Sequence, residues 1–248
     1  MMLSKQKIRK NKTIGCFVLL ICILLVSYSV IKYQEKTDSS TTNQAESFVS
    51  QKDVNIKNHN IQDENDRDWF LVLVNKSHPI EANYEIKLTE LSNGECVDSR
   101  IYPQLQKMFD DMRNNGIYPV VASGYRTAQE QQQIYDNKID EYISKGYSES
   151  DAKTEAEYWA AMPGTSEHQL GLAVDINADG INSYGDEVYD WLSRNAYRYG
   201  FIYRYQKDKV NITGVANEPW HYRYVGIEVA TEIYNRNICL EEYMEEIY

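Results

Sequence analysis

A stretch of 19 residues without a charge, Thr13 to Ile31, constrains this chain more than any other feature. Its centre, Phe17-Val18-Leu19-Leu20-Ile21-Cys22-Ile23-Leu24-Leu25-Val26, has no polar side that could face water. At ~1.5 Å rise per residue the segment nearly matches a hydrocarbon layer of ~30 Å, so it reads as a single-pass membrane helix. Lys5, Lys7, Arg9, Lys10 and Lys12 precede it with no acidic residue among them, and such a flank stays cytoplasmic. The other 21 of the 26 basic residues face all 37 acidic ones in the remainder, which is thereby placed outside the membrane. A cleaved signal peptide is the alternative, because Ser27 and Ser29 put small residues where a signal peptidase reads them. Both readings export the body; cleavage would make it secreted rather than anchored at the cell membrane.

After a basic tail at 1–12 and the segment at 13–31, residues 32–66 are dominated by Ser, Thr, Asn, Gln and charged side chains, with Tyr33 and Phe48 the only aromatics. Too little apolar surface is available there to offset ordering entropy, so a disordered stalk is expected. Residues 67–248 then form one domain, long enough for a single packed core. Its excess of carboxylates disfavours nucleic acid as a partner. No protein partner is indicated. Cys96 and Cys239 are the only cysteines of the body, enough for one disulfide or two free thiols but not for a thiolate zinc site.

Within the body, Leu105, Met108, Phe109 and Met112 recur at helical spacing, which predicts a helix over 103–115. A strand is expected at 118–122, and the capping box Thr127-x-x-Glu130 opens a second helix with Ile134, Tyr135, Ile139, Tyr142 and Ile143 inward. A third helix is expected from Ser150 to Ala161. Leu172, Val174 and Ile176 alternate as in a strand, Val188, Trp191, Leu192 and Tyr199 form a helical stripe, and strands follow at 201–205 and 222–225. Ile227, Ala230, Ile233 and Tyr234 mark a further helix, and Trp69 to Val74 form a short run of strand formers. Helices come first and most strands later, which argues for an α+β fold with a small antiparallel sheet flanked by helices.

Two of the four histidines stand in company that suggests chemistry. His168 and Asp175 are seven apart around Gly171, and a turn or bulge at that glycine would bring both to one site. Glu218 and His221 are three apart, so one tight turn can set a carboxylate beside an imidazole. Two histidines and one carboxylate make a three-ligand zinc site with an open fourth position, and a further unligated glutamate is the base that a water there requires. Glu167 reads as a solvated bystander. His59 and His78 lie in the stalk and beside a turn proline.

Ser123-Gly124-Tyr125-Arg126, Ser166-x-His168-x-x-Gly171-x-Ala173-x-Asp175 and Glu218-Pro219-Trp220-His221, in that order, resemble the signature of the VanY-type D-alanyl-D-alanine carboxypeptidases. These are zinc peptidases related to the D,D-dipeptidases of vancomycin resistance. The resemblance implies Zn2+ held by His168, Asp175 and His221, with Glu218 as catalytic base. It implies that Arg126 faces the scissile carbonyl or the substrate carboxylate, and that Gln131 and Ser166 contact the substrate; Ser123 is a further candidate for the substrate side, and Trp220 is either a packing residue or a wall of the pocket. The implied substrate is a peptidoglycan stem ending in D-Ala-D-Ala, from which the terminal D-Ala is removed.

Three rival readings differ in what they require. A serine carboxypeptidase would use Ser150-x-x-Lys153, but no Lys-Thr-Gly follows to complete its motifs. An L,D-carboxypeptidase or endopeptidase of the same family would share every metal motif. A non-catalytic wall-binding module would have lost part of the ligand set, which is complete in this chain.

Overall fold

The structure is a computed structural model and describes residues 69–247. The expected tail, membrane segment and stalk at 1–12, 13–31 and 32–66 lie outside the described residues, as do His59, Cys16 and Cys22. Among the described residues no helix is long and apolar enough to cross a membrane.

Four short antiparallel strands form the central sheet, and their order in space differs from their order in sequence. A hairpin of β1 (Leu88–Glu90) and β2 (Cys96–Asp98) comes first, and β3 (Pro119–Ser123), β4 (Ala173–Ala178), β5 (Phe201–Tyr203) and β6 (His221–Tyr224) build the main sheet in the order β3-β4-β6-β5. The helices are α1 (Tyr102–Asn114), α2 (Ala128–Ser144), α3 (Glu149–Glu157), α4 (Gly185–Asn195), α5 (Val210–Thr213), α6 (Ile227–Arg236) and α7 (Leu240–Ile247). The expected α+β class with a small antiparallel sheet is what the described residues form.

Period-two alternation places a core on each side of this sheet. Phe201 packs with Leu105, Met108 and Met112 of α1, Val174 and Ile176 of β4, and Leu192 of α4. Its neighbour Ile202 instead joins Val225, Ala230, Ile233 and Leu240, so α6 and α7 meet the opposite side. Each fully buried aliphatic side chain contributes about 1.5–3 kcal/mol, and these two clusters hold the sheet between them.

Several local expectations need correction. Trp69 to Val74 do not pair as a strand. The guanidinium of Arg223 donates from Nη2 to the carbonyls of Phe70 and Val72, 2.8 Å each, and takes the place of a neighbouring strand as a backbone partner. The third helix ends at Glu157 rather than Ala161. On α2 the buried residues are Gln131 and Tyr135, while Ile134 and Ile143 are exposed, because α3 and the segment after it cover that helix through a small cluster of Tyr135, Ala156 and Ala160. The hairpin β1–β2 and the last helix α7 were not anticipated. Cys96 and Cys239 are both free.

Gly171 is the hinge between the two parts of the longest motif. The chain makes a tight 3-10 turn over Glu167–Leu170, reverses at Gly171 with φ 66°, and enters β4 two residues later. A Cβ at Gly171 would lie 2.5 Å from Ile86 Cδ1 and 2.9 Å from the backbone nitrogen of Asp98. For a residue with a side chain, left-handed backbone costs about 1–2 kcal/mol and overpacking about 1–3 kcal/mol. Gly171→Ala is therefore expected to lower stability by at least about 2 kcal/mol, read from urea unfolding; an unchanged midpoint would refute this account of the turn.

Candidate metal centre and active site

The sheet register gathers the site. Across three neighbouring strands Ser123 pairs with Asp175 and Asp175 with His221. The first of these pairings exists because β3 is bulged between Val121 and Ser123, which advances Ser123 by one position. A slip of one residue in any of these strands would turn the side chain concerned to the other face. His168 enters from the 3-10 turn before β4. Glu218 enters from the turn before β6, where the His221 amide donates to the Glu218 carbonyl at 3.1 Å.

His168, Asp175 and His221 converge. Asp175 Oδ1 lies 3.4 Å from His168 Nε2 and 3.1 Å from His221 Nδ1, and the two imidazole rings meet nearly edge to face with centroids 4.9 Å apart. One donor atom from each of the three residues lies within 4.8 Å of the others. Ligands bound to one tetrahedral zinc at ~2.0–2.2 Å stand roughly 3.3–3.5 Å apart, so the two separations from Asp175 are close to that spacing, and a donor set of two imidazoles and a carboxylate suits that ion. The far nitrogens have acceptors of their own. His168 Nδ1 is 2.7 Å from the Gly124 carbonyl, which can only accept, so the proton belongs on Nδ1 and the lone pair on Nε2. His221 is turned the other way, with Nε2 at 3.4 Å from Glu167 Oε2 and Nδ1 facing Asp175.

The electrostatics favour a cation here. Burial opposes the His221 cation, yet hydrogen bonds to Asp175 and Glu167 lift the group to about 9. Burial acts on Asp175 in the raising direction, but the two histidines hold it well below the usual carboxylate range. Burial lowers His168. Glu218 behaves differently from Asp175. Its side chain is buried, with Oε2 3.7 Å from His221 Nδ1, and burial raises it to about 7 with help from Asp175 and against His221 and Arg126. A carboxylate poised near neutrality suits a general base.

Arg126 stands beside the metal ligands. Its Nη2 donates to Asp175 Oδ2 at 2.7 Å, Nε to Ser123 Oγ at 2.8 Å and Nη1 to Gln131 Oε1 at 3.2 Å. A guanidinium has five N–H groups, so two remain for another acceptor. Gln131 is buried, with its amide engaged on one side by Arg126 and on the other by the Ala161 carbonyl at 2.7 Å. The structure thus places Gln131 and Ser123 as partners of Arg126. Ser166 is buried at the start of the 3-10 turn, and Trp220 is half-buried with its carbonyl accepting from the Ile176 amide. The serine-type pair Ser150 and Lys153 lies on an exposed face of α3, where Lys153 is bonded to Glu149.

Glu167 is the residue whose expected place is overturned. Far from solvated, it is 1% exposed and lies between Arg204, Arg223 and His221. Arg204, Arg223 and Glu241 were also missed. The available signal was Arg204 and Arg223 among tyrosines in two strand-like segments, where a charge on a buried face needs a partner.

A family model described as VanY, D-alanyl-D-alanine carboxypeptidase, matches residues 94–227. A D-alanyl-D-alanine carboxypeptidase of Enterococcus faecalis (strain ATCC 700802 / V583) is 49% identical over 247 residues, 97% of this chain and 92% of its own length. The solved structure of VanYB in complex with D-alanine-D-alanine is 63% identical, covers 71% of this chain and 98% of that one, and superposes with a TM-score of 0.71. A mutant of the vancomycin resistance D,D-pentapeptidase VanY from a VanB-type resistance cassette, in complex with Zn(II), is also 63% identical, with a TM-score of 0.70 and coverage of 71% and 99%. The matched segment holds all three motifs together with the turn, bulge and register that bring them into one site, and the chain belongs to the VanY family of D-alanyl-D-alanine carboxypeptidases.

Proposed function

We propose that this chain is a zinc-dependent D,D-carboxypeptidase that releases the terminal D-Ala from peptidoglycan pentapeptide stems. The observation that carries the reading is the convergence of His168, Asp175 and His221 beside a separate buried carboxylate, Glu218, that is not needed as a ligand. The D-Ala-D-Ala complex of one relative and the Zn(II) complex of another support the substrate and the metal. Bound at the three ligands, zinc supplies a Lewis acid that polarises the scissile carbonyl and acidifies water.

The rest of the reaction is carried by side chains of this chain. Glu218 takes a proton from the attacking water as its oxygen bonds to the carbonyl carbon, and gives a proton to the leaving amine as the C–N bond breaks. A group near pH 7 can do both. The two free N–H groups of Arg126 stabilise the developing oxyanion or receive the terminal carboxylate. Asp175, Ser123 and Gln131 hold that guanidinium in place. Ser166 and Trp220 are assigned to the wall of the substrate cleft. The body acts outside the cell membrane, attached by the apolar segment at 13–31 with its basic flank; the supporting observation is the charge asymmetry around that segment.

Mass spectrometry of products from pentapeptide and tetrapeptide stems tests the substrate. D-Ala loss from the pentapeptide, abolished by chelation and restored by zinc, is expected; loss from the tetrapeptide alone would mean an L,D-carboxypeptidase. Glu218→Gln should keep zinc and lower kcat about 100- to 10,000-fold. The same variant has a pH signature in the metal-free protein. Folded Glu218 holds its proton up to about pH 7, whereas the unfolded group releases it near 4.5, so wild-type stability falls as pH rises through that window. At pH 8 the metal-free variant should be the more stable by up to about 3 kcal/mol, and at pH 4 the two should coincide. Fractionation and protease shaving of intact cells test the anchor: the full-length chain is expected in the membrane fraction with its body digestible from outside.

A further inference from the structure

Glu167 neighbours one metal ligand in sequence and backs another in space. Its side chain has no exposure to solvent. Oε1 accepts from Arg204 Nε at 2.8 Å and from Arg223 Nη1 at 3.0 Å, which leaves Oε2 for His221 Nε2 at 3.4 Å. Arg204 then meets Glu241 of α7 with both terminal nitrogens, at 2.8 and 2.6 Å. Arg223 ties the same carboxylate to the backbone of Phe70 and Val72. The buried groups alternate in sign from α7 to His221: Glu241, Arg204, Glu167.

Such a cluster needs a reason other than stability. Buried ion pairs often contribute no more than apolar residues of the same volume. What this one does is present a single carboxylate oxygen to the far nitrogen of a metal ligand. An acceptor there keeps the proton on Nε2 and leaves the Nδ1 lone pair towards Asp175 and His168, which is the tautomer a metal requires. The Gly124 carbonyl does the same for His168. Among the described residues no backbone carbonyl is bonded to the far nitrogen of His221, and Glu167 fills that place.

We propose that Glu167 is a positioning residue of the metal centre, fixing the tautomer and ring orientation of His221, and that Arg204 and Glu241 extend this support to the C-terminal helix α7. The inference rests on the zinc reading given above. Glu241 lies beyond the 94–227 segment matched by the family model, so part of the metal centre's support lies outside that segment.

The test begins with zinc affinity of the full-length wild-type protein by chelator competition; absence of a tight single site would overturn the zinc reading and this inference together. With that site present, Glu167→Gln is expected to raise the zinc dissociation constant about 10- to 100-fold and to shift the visible spectrum of the Co(II)-loaded protein. Glu241→Gln, one arginine further away, should weaken zinc by about threefold or more. Wild-type affinity and an unshifted Co(II) spectrum in folded Glu167→Gln would overturn this inference alone, even if the unfolding midpoint falls. That variant leaves two buried guanidinium groups without the negative charge that faces them, so a measurement on the wild type stands beside it. In 15N spectra of the zinc-loaded chain, His221 should carry its proton on Nε2 and His168 on Nδ1; a His221 proton on Nδ1 would overturn the proposal whether or not the variants fold.

Discussion

Asp175 and His221 stand directly opposite each other on β4 and β6, and that pairing decides where every other reacting group must come from. Opposed residues of an antiparallel pair point to the same face at ~4.5–5.5 Å, close enough for a carboxylate and an imidazole to share an ion. With two ligands set by register, the third must reach the same face from outside the ladder. The 3-10 turn at Glu167–Leu170 and the reversal at Gly171 deliver His168 there. The bulge in β3 adds Ser123 and, through it, the guanidinium of Arg126. Ladder hydrogen bonds thus do the positioning that a flexible loop could not.

Much of this was legible beforehand because it is local. The capping box at Thr127 and Glu130 forms as the pattern requires, and the helix over Tyr102–Asn114 follows the stripe of Leu105, Met108, Phe109 and Met112. The turn at Gly171 was implied by two polar residues on either side of a glycine that could not share a face on a straight strand. The close approach of Glu218 and His221 follows from i, i+3 spacing, and the ligand set followed from the family resemblance of the motifs.

What was not legible depends on contacts across the chain. Trp69 to Val74 have the composition of a strand, but Arg223, some 150 residues away, takes the carbonyls that a strand would have offered to a neighbour. Ile134 and Ile143 have the spacing of a buried stripe, yet the cover that α2 receives from the short α3 and the segment after it leaves them exposed. Glu167 looked like one acidic residue among many. Its burial is decided by Arg204 and Arg223, and no periodicity announces such a meeting.

Glu167 and Glu218 show how one environment sustains two carboxylates in different states. Both are buried, and both lie within 4 Å of His221. Burial pushes each towards the neutral form. For Glu167 that push is outweighed by the charges of Arg204 and Arg223, with His221 adding to them, so it stays ionised and can only accept. Among the described residues no guanidinium is bonded to Glu218, which faces the negative charge of Asp175, so burial prevails and raises it to about 7. A group that never releases its acceptor role is suited to holding an imidazole still. A group that exchanges its proton near neutrality is suited to moving one. The placement of two arginines, rather than any difference between the glutamates, separates the support of the metal centre from its chemistry.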